Sequence, residues 1–129
     1  MDPFQRKKIL VVDDNLTLLT ELRRWVVNAG YDAVSAGNGK EALQEVEREL
    51  PDMIIVDAMM PYMNGFEVAR QVRALHPTSA IPIIMLTGLR VESDMKSAQE
   101  AGINEMLTKP VEYEALVKRI HHYLKSPFR

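Results

Sequence analysis

The chain contains no cysteine among its 129 residues. That excludes disulfide staples and thiolate metal sites, and a reducing compartment fits the composition. Neither sign of charge dominates: 16 Lys and Arg stand against 18 Asp and Glu, a net charge of −2. A strongly basic nucleic-acid binder is thereby excluded, and so is an acidic disordered tail. No apolar run approaches the roughly 20 residues that a membrane span requires. The opening Met-Asp-Pro-Phe-Gln-Arg-Lys-Lys lacks the apolar stretch of a secretion signal. There is no internal repeat, low-complexity tract or linker. With 47% hydrophobic and 26% charged residues, the composition is that of a single globular domain, residues 1–129, expected in the cytoplasm.

What the sequence does contain is an alternation of two periodicities. Short apolar runs occur at Ile9-Leu10-Val11-Val12, at Met53-Ile54-Ile55-Val56 and from Ile81 to Leu86, with weaker runs at Ala33-Val34 and Met106-Leu107. Their length and β-branched content predict strands buried on both faces, with Pro82 tolerable only near the start of its strand. Helical spacing fills the intervals. The first helix carries Leu18, Leu19, Leu22, Trp25, Val26 and Ala29 and stops at Gly30. The second carries Ala42, Val46 and Leu50 behind an Asn38 cap, and the third Val68, Ala69, Val72 and Leu75. The fourth has Val91, Met95 and Ala98, and the last Tyr113, Leu116, Val117, Ile120 and Leu124. Five strand-then-helix units predict an α/β fold: an open, doubly wound parallel sheet with helices on both faces.

In such sheets ligands gather outside the carboxyl ends of the strands. The first strand ends in Asp13-Asp14, the third in Asp57 and the fourth in Thr87-Gly88, and the fifth is followed by Lys109-Pro110. If those strands are neighbours, about 4.8 Å apart, three carboxylates, a hydroxyl and an ammonium share one rim. Two like charges about 4 Å apart repel by about 4 kcal/mol at an effective dielectric near 20. Either a cation relieves that repulsion or a carboxyl keeps its proton. Lys109 can offset one charge. A hard divalent cation with oxygen ligands suits the remainder, and Mg2+ suits a site with few protein ligands, several waters and a phosphate oxygen. No His or Cys competes on the rim, which argues against Zn2+. Taken singly, each residue has a plainer explanation. Asp13-Asp14 can be a turn and helix cap, Asp57 the start of a loop, Thr87 a strand-end hydroxyl and Lys109 a solvated lysine. Their conjunction on four strand ends is what phosphoryl transfer requires.

At these residues the sequence resembles the receiver domain of two-component response regulators, over about residues 8–124. The matching stretches are Ile9-Leu10-Val11-Val12-Asp13-Asp14-Asn15, Ile54-Ile55-Val56-Asp57-Ala58-Met59-Met60-Pro61 with Met63-Asn64-Gly65, Pro82-Ile83-Ile84-Met85-Leu86-Thr87-Gly88, and Leu107-Thr108-Lys109-Pro110. The resemblance implies a flavodoxin-like (βα)5 fold with strand order 2-1-3-4-5. It implies that Asp57 is a carboxylate nucleophile that becomes an acyl phosphate. Asp14 would ligate Mg2+ directly and Asp13 mainly through water, with Asp57 and the Met59 carbonyl completing the protein's share. Thr87 and Lys109 would each bond a phosphoryl oxygen, and Gly88 would leave the incoming group room. Met59 and Leu89 would flank that group. The Lys109-Pro110 peptide is expected to be cis.

The implied donor is a phosphohistidine on a sensor histidine kinase or histidine phosphotransfer protein. His76 closes a helix, and His121 and His122 are expected to face solvent. The output surface would be the fourth helix, fifth strand and fifth helix, with Val91, Asp94, Met95, Met106, Tyr113 and Val117 as contact candidates; the competing reading is that their apolar members, Val117 above all, belong to the core. It would bind a downstream protein effector, a fused output domain or a second copy in a homodimer; direct contact with nucleic acid or membrane is not expected. One departure stands out. Three residues before Lys109 the family usually has Tyr or Phe, and Met106 takes that place with neither ring nor hydroxyl. The chain ends at Arg129 with no output domain, so it reads as a free-standing regulator or as a receiver cut from a longer chain.

Two other functions remain. A haloacid-dehalogenase-type phosphatase also uses Asp, Thr, Lys and Mg2+, but it needs a second Asp two positions after a first-strand nucleophile. Asn15 stands two positions after Asp13, and Asp57 would have no role. A docking receiver that is never phosphorylated is the other. The expectation is therefore not an enzyme turning over an external substrate but a module that catalyses its own phosphorylation and dephosphorylation.

Overall fold

The computed structural model describes residues 5–76, 80–88 and 92–129, with residues 92–94 described by backbone alone. Its elements alternate as the two periodicities require: β1 Lys8–Val12, α1 Leu16–Asn28, β2 Asp32–Ala36, α2 Gly39–Glu49, β3 Met53–Asp57, α3 Gly65–Leu75, β4 Ile83–Thr87, α4 Glu92–Glu100, β5 Glu105–Thr108 and α5 Tyr113–Leu124. The strands form one parallel sheet in the order β2-β1-β3-β4-β5. This is the expected doubly wound order. Pro82 stands just outside β4, where it takes no N–H from the sheet's interior while its carbonyl accepts from Ile54 N at 3.0 Å.

The pleat sends alternate residues of β1, β3 and β4 into two cores. On one side Ile9, Val11, Met53, Ile55, Ile84 and Leu86 pack with Leu19, Leu22 and Val26 of α1 and Leu116, Ile120 and Leu124 of α5. On the other, Leu10, Val12, Ile54, Val56, Ile83 and Met85 meet Ala42 and Val46 of α2, Val68, Ala69 and Val72 of α3, and Ala98 of α4. Each fully buried aliphatic side chain contributes about 1.5–3 kcal/mol, so the strands that carry the site are also the best-anchored part of the fold.

Several side chains expected on buried helix faces lie outside. Leu18 is exposed on α1. Leu50 is not in α2 but caps it with φ 49°, because Pro51 cannot continue a helix and disfavours a right-handed helical residue before it. Leu75 ends α3 and Met95 lies on α4, both solvent-exposed, because those helices bury only their small or central residues. His121, expected in solvent, is partly buried with Nδ1 2.7 Å from the Tyr31 hydroxyl, whereas His122 is exposed. His76 does close α3, with Nε2 3.1 Å from Glu47 Oε1. Leu89 and Val91 lie outside the described residues, as does the side chain of Asp94.

The residues after α5 turn back under the sheet. Lys125, at φ 67° and ψ −50°, forms a three-residue turn closed by Ser126 N donating to Leu124 O at 2.7 Å. Pro127 then packs over Gly30, and Phe128 pairs antiparallel with Arg6. Arg129 holds both oxygens of Asp52 at 2.8 and 2.7 Å, and one of those oxygens also accepts from Lys8 N at 2.7 Å. Bidentate geometry gives this pair more than the usual surface ion pair contributes. Arg129→Ala is expected to lower unfolding free energy by about 1 kcal/mol. The phosphoryl uptake that the resemblance implies should not change, because Asp52 lies about 17 Å down the strand direction from Asp57 at 3.3 Å per residue. Urea unfolding beside a phosphorylation assay checks both halves.

Candidate functional site

Register decides which strand-end side chains meet. Val12 pairs with Val56, so Asp13 and Asp57 follow at the same level on adjacent strands. Asp57 pairs with Leu86 and Thr87 with Thr108, which brings Lys109 next to the end of β4. Main-chain bonds hold these ends in place. Asp13 N donates to Ala36 O at 3.2 Å, Ala58 N to Leu86 O at 2.9 Å and Lys109 N to Thr87 O at 2.8 Å.

Carboxylate oxygens of Asp13, Asp14 and Asp57 lie within 4.8 Å of one another. Asp13 and Asp57 are buried and Asp14 is exposed. Lys109 Nζ is 2.5 Å from Asp57 Oδ1, and Thr87 is buried beside them at the end of β4. The structure thus gathers Asp13, Asp14, Asp57 and Lys109, with Thr87 closing the strand-end row. The Lys109-Pro110 peptide is cis, as expected. Met59 is 66% exposed on the loop after β3. A side-chain carbon added at Gly88 would meet nothing within 4 Å, so the space expected there is open.

Electrostatically the cluster is short of positive charge. Burial pushes the Asp13 carboxyl above its ordinary value; the N–H of Asn15, 2.9 Å from Oδ1, pulls it down, and the charge of Asp57 raises it further. Its other oxygen, Oδ2, is buried with no hydrogen-bond partner. A buried, unpartnered carboxylate oxygen facing two more carboxylates fits a hard divalent cation bound by oxygen, and the donor set offers nothing softer.

Two residues that shape the site, and one strained residue on the loop beside it, were not singled out on chemical grounds in the sequence. Asn15 caps α1, its side chain accepting from Thr17 N and Leu18 N, while its own N–H fixes Asp13. An Asn before an apolar helix signals that cap, but not the bond to Asp13. Gly65 opens α3 directly behind Asp57: a Cβ there would lie 2.6 Å from the Asp57 carbonyl oxygen and 3.1 Å from Ala58 Cα. An Asn-Gly pair before a helix marks a boundary without revealing that contact. Tyr62 sits in the β3–α3 loop at φ 68°, the centre of a turn closed by Met63 N donating to Pro61 O at 2.7 Å. This positive-φ three-residue turn is rare and strained, and a left-handed non-glycine residue costs about 1–3 kcal/mol. No sequence pattern announces it.

A groove of about 500 Å³ runs from the cluster along α1, lined by Leu18, Leu22, Trp25, Leu86 and Val111 beside Asp13 and Lys109. Tyr113 stands edge-on to Trp25, 5.7 Å between ring centres, so its ring faces α1. Met106 is partly buried on β5 and shares a separate hollow with Met95, Lys96, Gln99 and Tyr123.

The sequence profile of the response regulator receiver domain matches residues 9–121. This chain belongs to that family. The receiver is similar to the chemotaxis protein CheY4 of Vibrio cholerae, with TM-score 0.88 and 32% identity over 92% of this chain and 99% of that one. It is 36% identical to protein PilH of Pseudomonas aeruginosa over 91% of this chain and 97% of PilH. It is also 41% identical to the alkaline phosphatase synthesis transcriptional regulatory protein PhoP of Bacillus subtilis. That match covers 88% of the receiver but 48% of PhoP, so the chain spans about half the length of such relatives and nearly all of PilH. The resemblance noted from the strand-end motifs is thus a family membership, and phosphorylation-based signalling fits it.

Proposed function

We propose that this receiver accepts a phosphoryl group on Asp57 from the phosphohistidine of a sensor histidine kinase or histidine phosphotransfer protein. The observation that carries this reading is the Lys109 ammonium on Asp57 within a cluster of three strand-end carboxylates. An oxygen of Asp57 forms the new P–O bond as the P–N bond to the donor imidazole breaks, and the imidazole keeps the electron pair. Lys109 would move from the carboxylate to a phosphoryl oxygen, and the Thr87 hydroxyl would bond another. Asp13, Asp14, Asp57 and the Met59 carbonyl would hold Mg2+. Bound there, Mg2+ supplies positive charge that offsets the carboxylates and the incoming phosphoryl group. Gly88 leaves that group its room.

No external substrate is turned over in this reading. The product is a changed α4-β5-α5 face for a downstream protein effector, a fused output domain or a second receiver, and the setting is the cytoplasm. Residues 1–129 act as a single receiver domain. Among the described residues no helix is long and apolar enough to cross a membrane.

Incubation with acetyl phosphate and Mg2+ is expected to add the mass of one phosphoryl group per chain by intact mass spectrometry. Chelation of Mg2+ and Asp57→Asn should each remove the adduct. An unchanged wild-type mass would leave a docking receiver as the better account.

A further inference from the structure

We infer that Tyr62 is a specificity-determining contact for the protein that delivers the phosphoryl group. The inference rests on the function proposed above and adds a residue outside the reacting cluster. Among the large apolar and aromatic side chains exposed on the described residues, Tyr62 is the most exposed, at 105%. Its backbone is held at φ 68° by the tight turn from Pro61 to Met63. Both features work against folding. An exposed ring gains nothing from burial, and glycine or asparagine would accept that φ with less strain. The turn itself is braced, because Met63 packs against Gly39 at the start of α2. A braced turn aiming an aromatic ring into solvent has no structural return within the chain.

Its location supplies the occupant. Tyr62 lines a hollow of about 440 Å³ together with Asp14, Asn38, Lys40, Pro61 and Met63. The Asp14 carboxylate in that hollow also belongs to the cluster around Asp57. Direct transfer from a phosphohistidine requires the donor imidazole to come within bonding reach of the acceptor oxygen, so the donor's surface must cover the rim of the cluster. Tyr62 stands on that rim, three residues beyond the exposed Met59 on the same loop. Tyrosine is a frequent anchor in protein interfaces, and a backbone already held in its turn has little freedom left to lose on docking. The donor face that meets it is an apolar recess beside the phosphohistidine. A small phosphodonor has no surface that extends from Asp57 to Tyr62, so Tyr62 discriminates among protein donors only.

Two donors separate this role from a general effect on the site: acetyl phosphate, and the autophosphorylated histidine kinase of the source organism that transfers fastest to the wild type. In Tyr62→Asn, which keeps a residue tolerant of the turn, the acetyl phosphate rate should stay within about twofold. Transfer from the kinase should fall about tenfold or more. Tyr62→Phe should restore the kinase rate, because the ring rather than the hydroxyl is the anchor. Equal losses with both donors would place Tyr62 in the chemistry and overturn the inference, as would no loss with either. A wild type that takes phosphate from acetyl phosphate but from no kinase would also overturn it. A wild type modified by neither donor would defeat the underlying function instead.

Discussion

Asp13→Asn is expected to make the metal-free receiver more stable and its phosphorylation slower. Asp13 is buried, one of its oxygens lacks a partner, and two other carboxylates face it. Removing an uncompensated buried charge should raise unfolding free energy by about 1–3 kcal/mol. The direction of its pKa leads to the same sign. Folding raises the carboxyl above its ordinary value, chiefly by burial. The native state therefore binds the proton more tightly than the unfolded chain. Stability of the metal-free protein then rises as pH falls from above the folded pKa towards the unfolded one, and the Asn variant should lose that gain. In the proposed site Asp13 holds Mg2+ through water, and an amide withdraws that negative charge, so the Mg2+ requirement for phosphorylation should move up about 10–100-fold. Urea unfolding at two pH values and a Mg2+ titration of acetyl phosphate labelling read both effects. A destabilised variant with an unchanged Mg2+ requirement would mean that Asp13 serves only the fold.

The second large effect is expected at Gly65. The Cβ of an alanine would lie 2.6 Å from the carbonyl oxygen of Asp57 and 3.1 Å from Ala58 Cα. Both are main-chain atoms at the end of β3, which is also tied to α3 by Gly65 N donating to Ala58 O at 3.0 Å. Neither can yield as the end of a flexible side chain could. Overpacking of this kind costs about 1–3 kcal/mol, and here relief requires moving Asp57, the proposed nucleophile. Phosphorylation should therefore fall by more than the folded fraction does. Misplacement by about 1 Å costs about 100-fold in well-oriented reactions. Gly37→Ala is the control: a Cβ there would meet only Glu41 Oε2, at an ordinary contact distance of 3.7 Å. If Gly65→Ala phosphorylates like the control, the close approach behind Asp57 does not matter to the reaction.

The strands were legible because Ile9 to Val12, Met53 to Val56 and Ile83 to Leu86 are buried on both faces, so composition alone marks them. Strand order followed from the family resemblance. The site was legible because strand ends in such a sheet converge, and Asp13, Asp14, Asp57 and Lys109 do meet. Helix faces were less so. Leu50 and Leu75 continue the apolar spacing of their helices, but one helix stops before Leu50 and the other ends at Leu75 with that side chain in solvent. Periodicity cannot show where packing stops. His121 was misjudged because its partner, Tyr31, lies ninety positions away. The turn at Tyr62 and the backbone contact behind Gly65 depend on tertiary placement, which no local pattern carries.

The most direct measurement takes the receiver labelled by acetyl phosphate and Mg2+ and reduces it with borohydride, which turns an aspartyl phosphate into homoserine. Peptide mass mapping should find homoserine at position 57 and at no other aspartate. Homoserine at position 13 or 14, or a phosphoryl group carried on a histidine instead, would contradict the account.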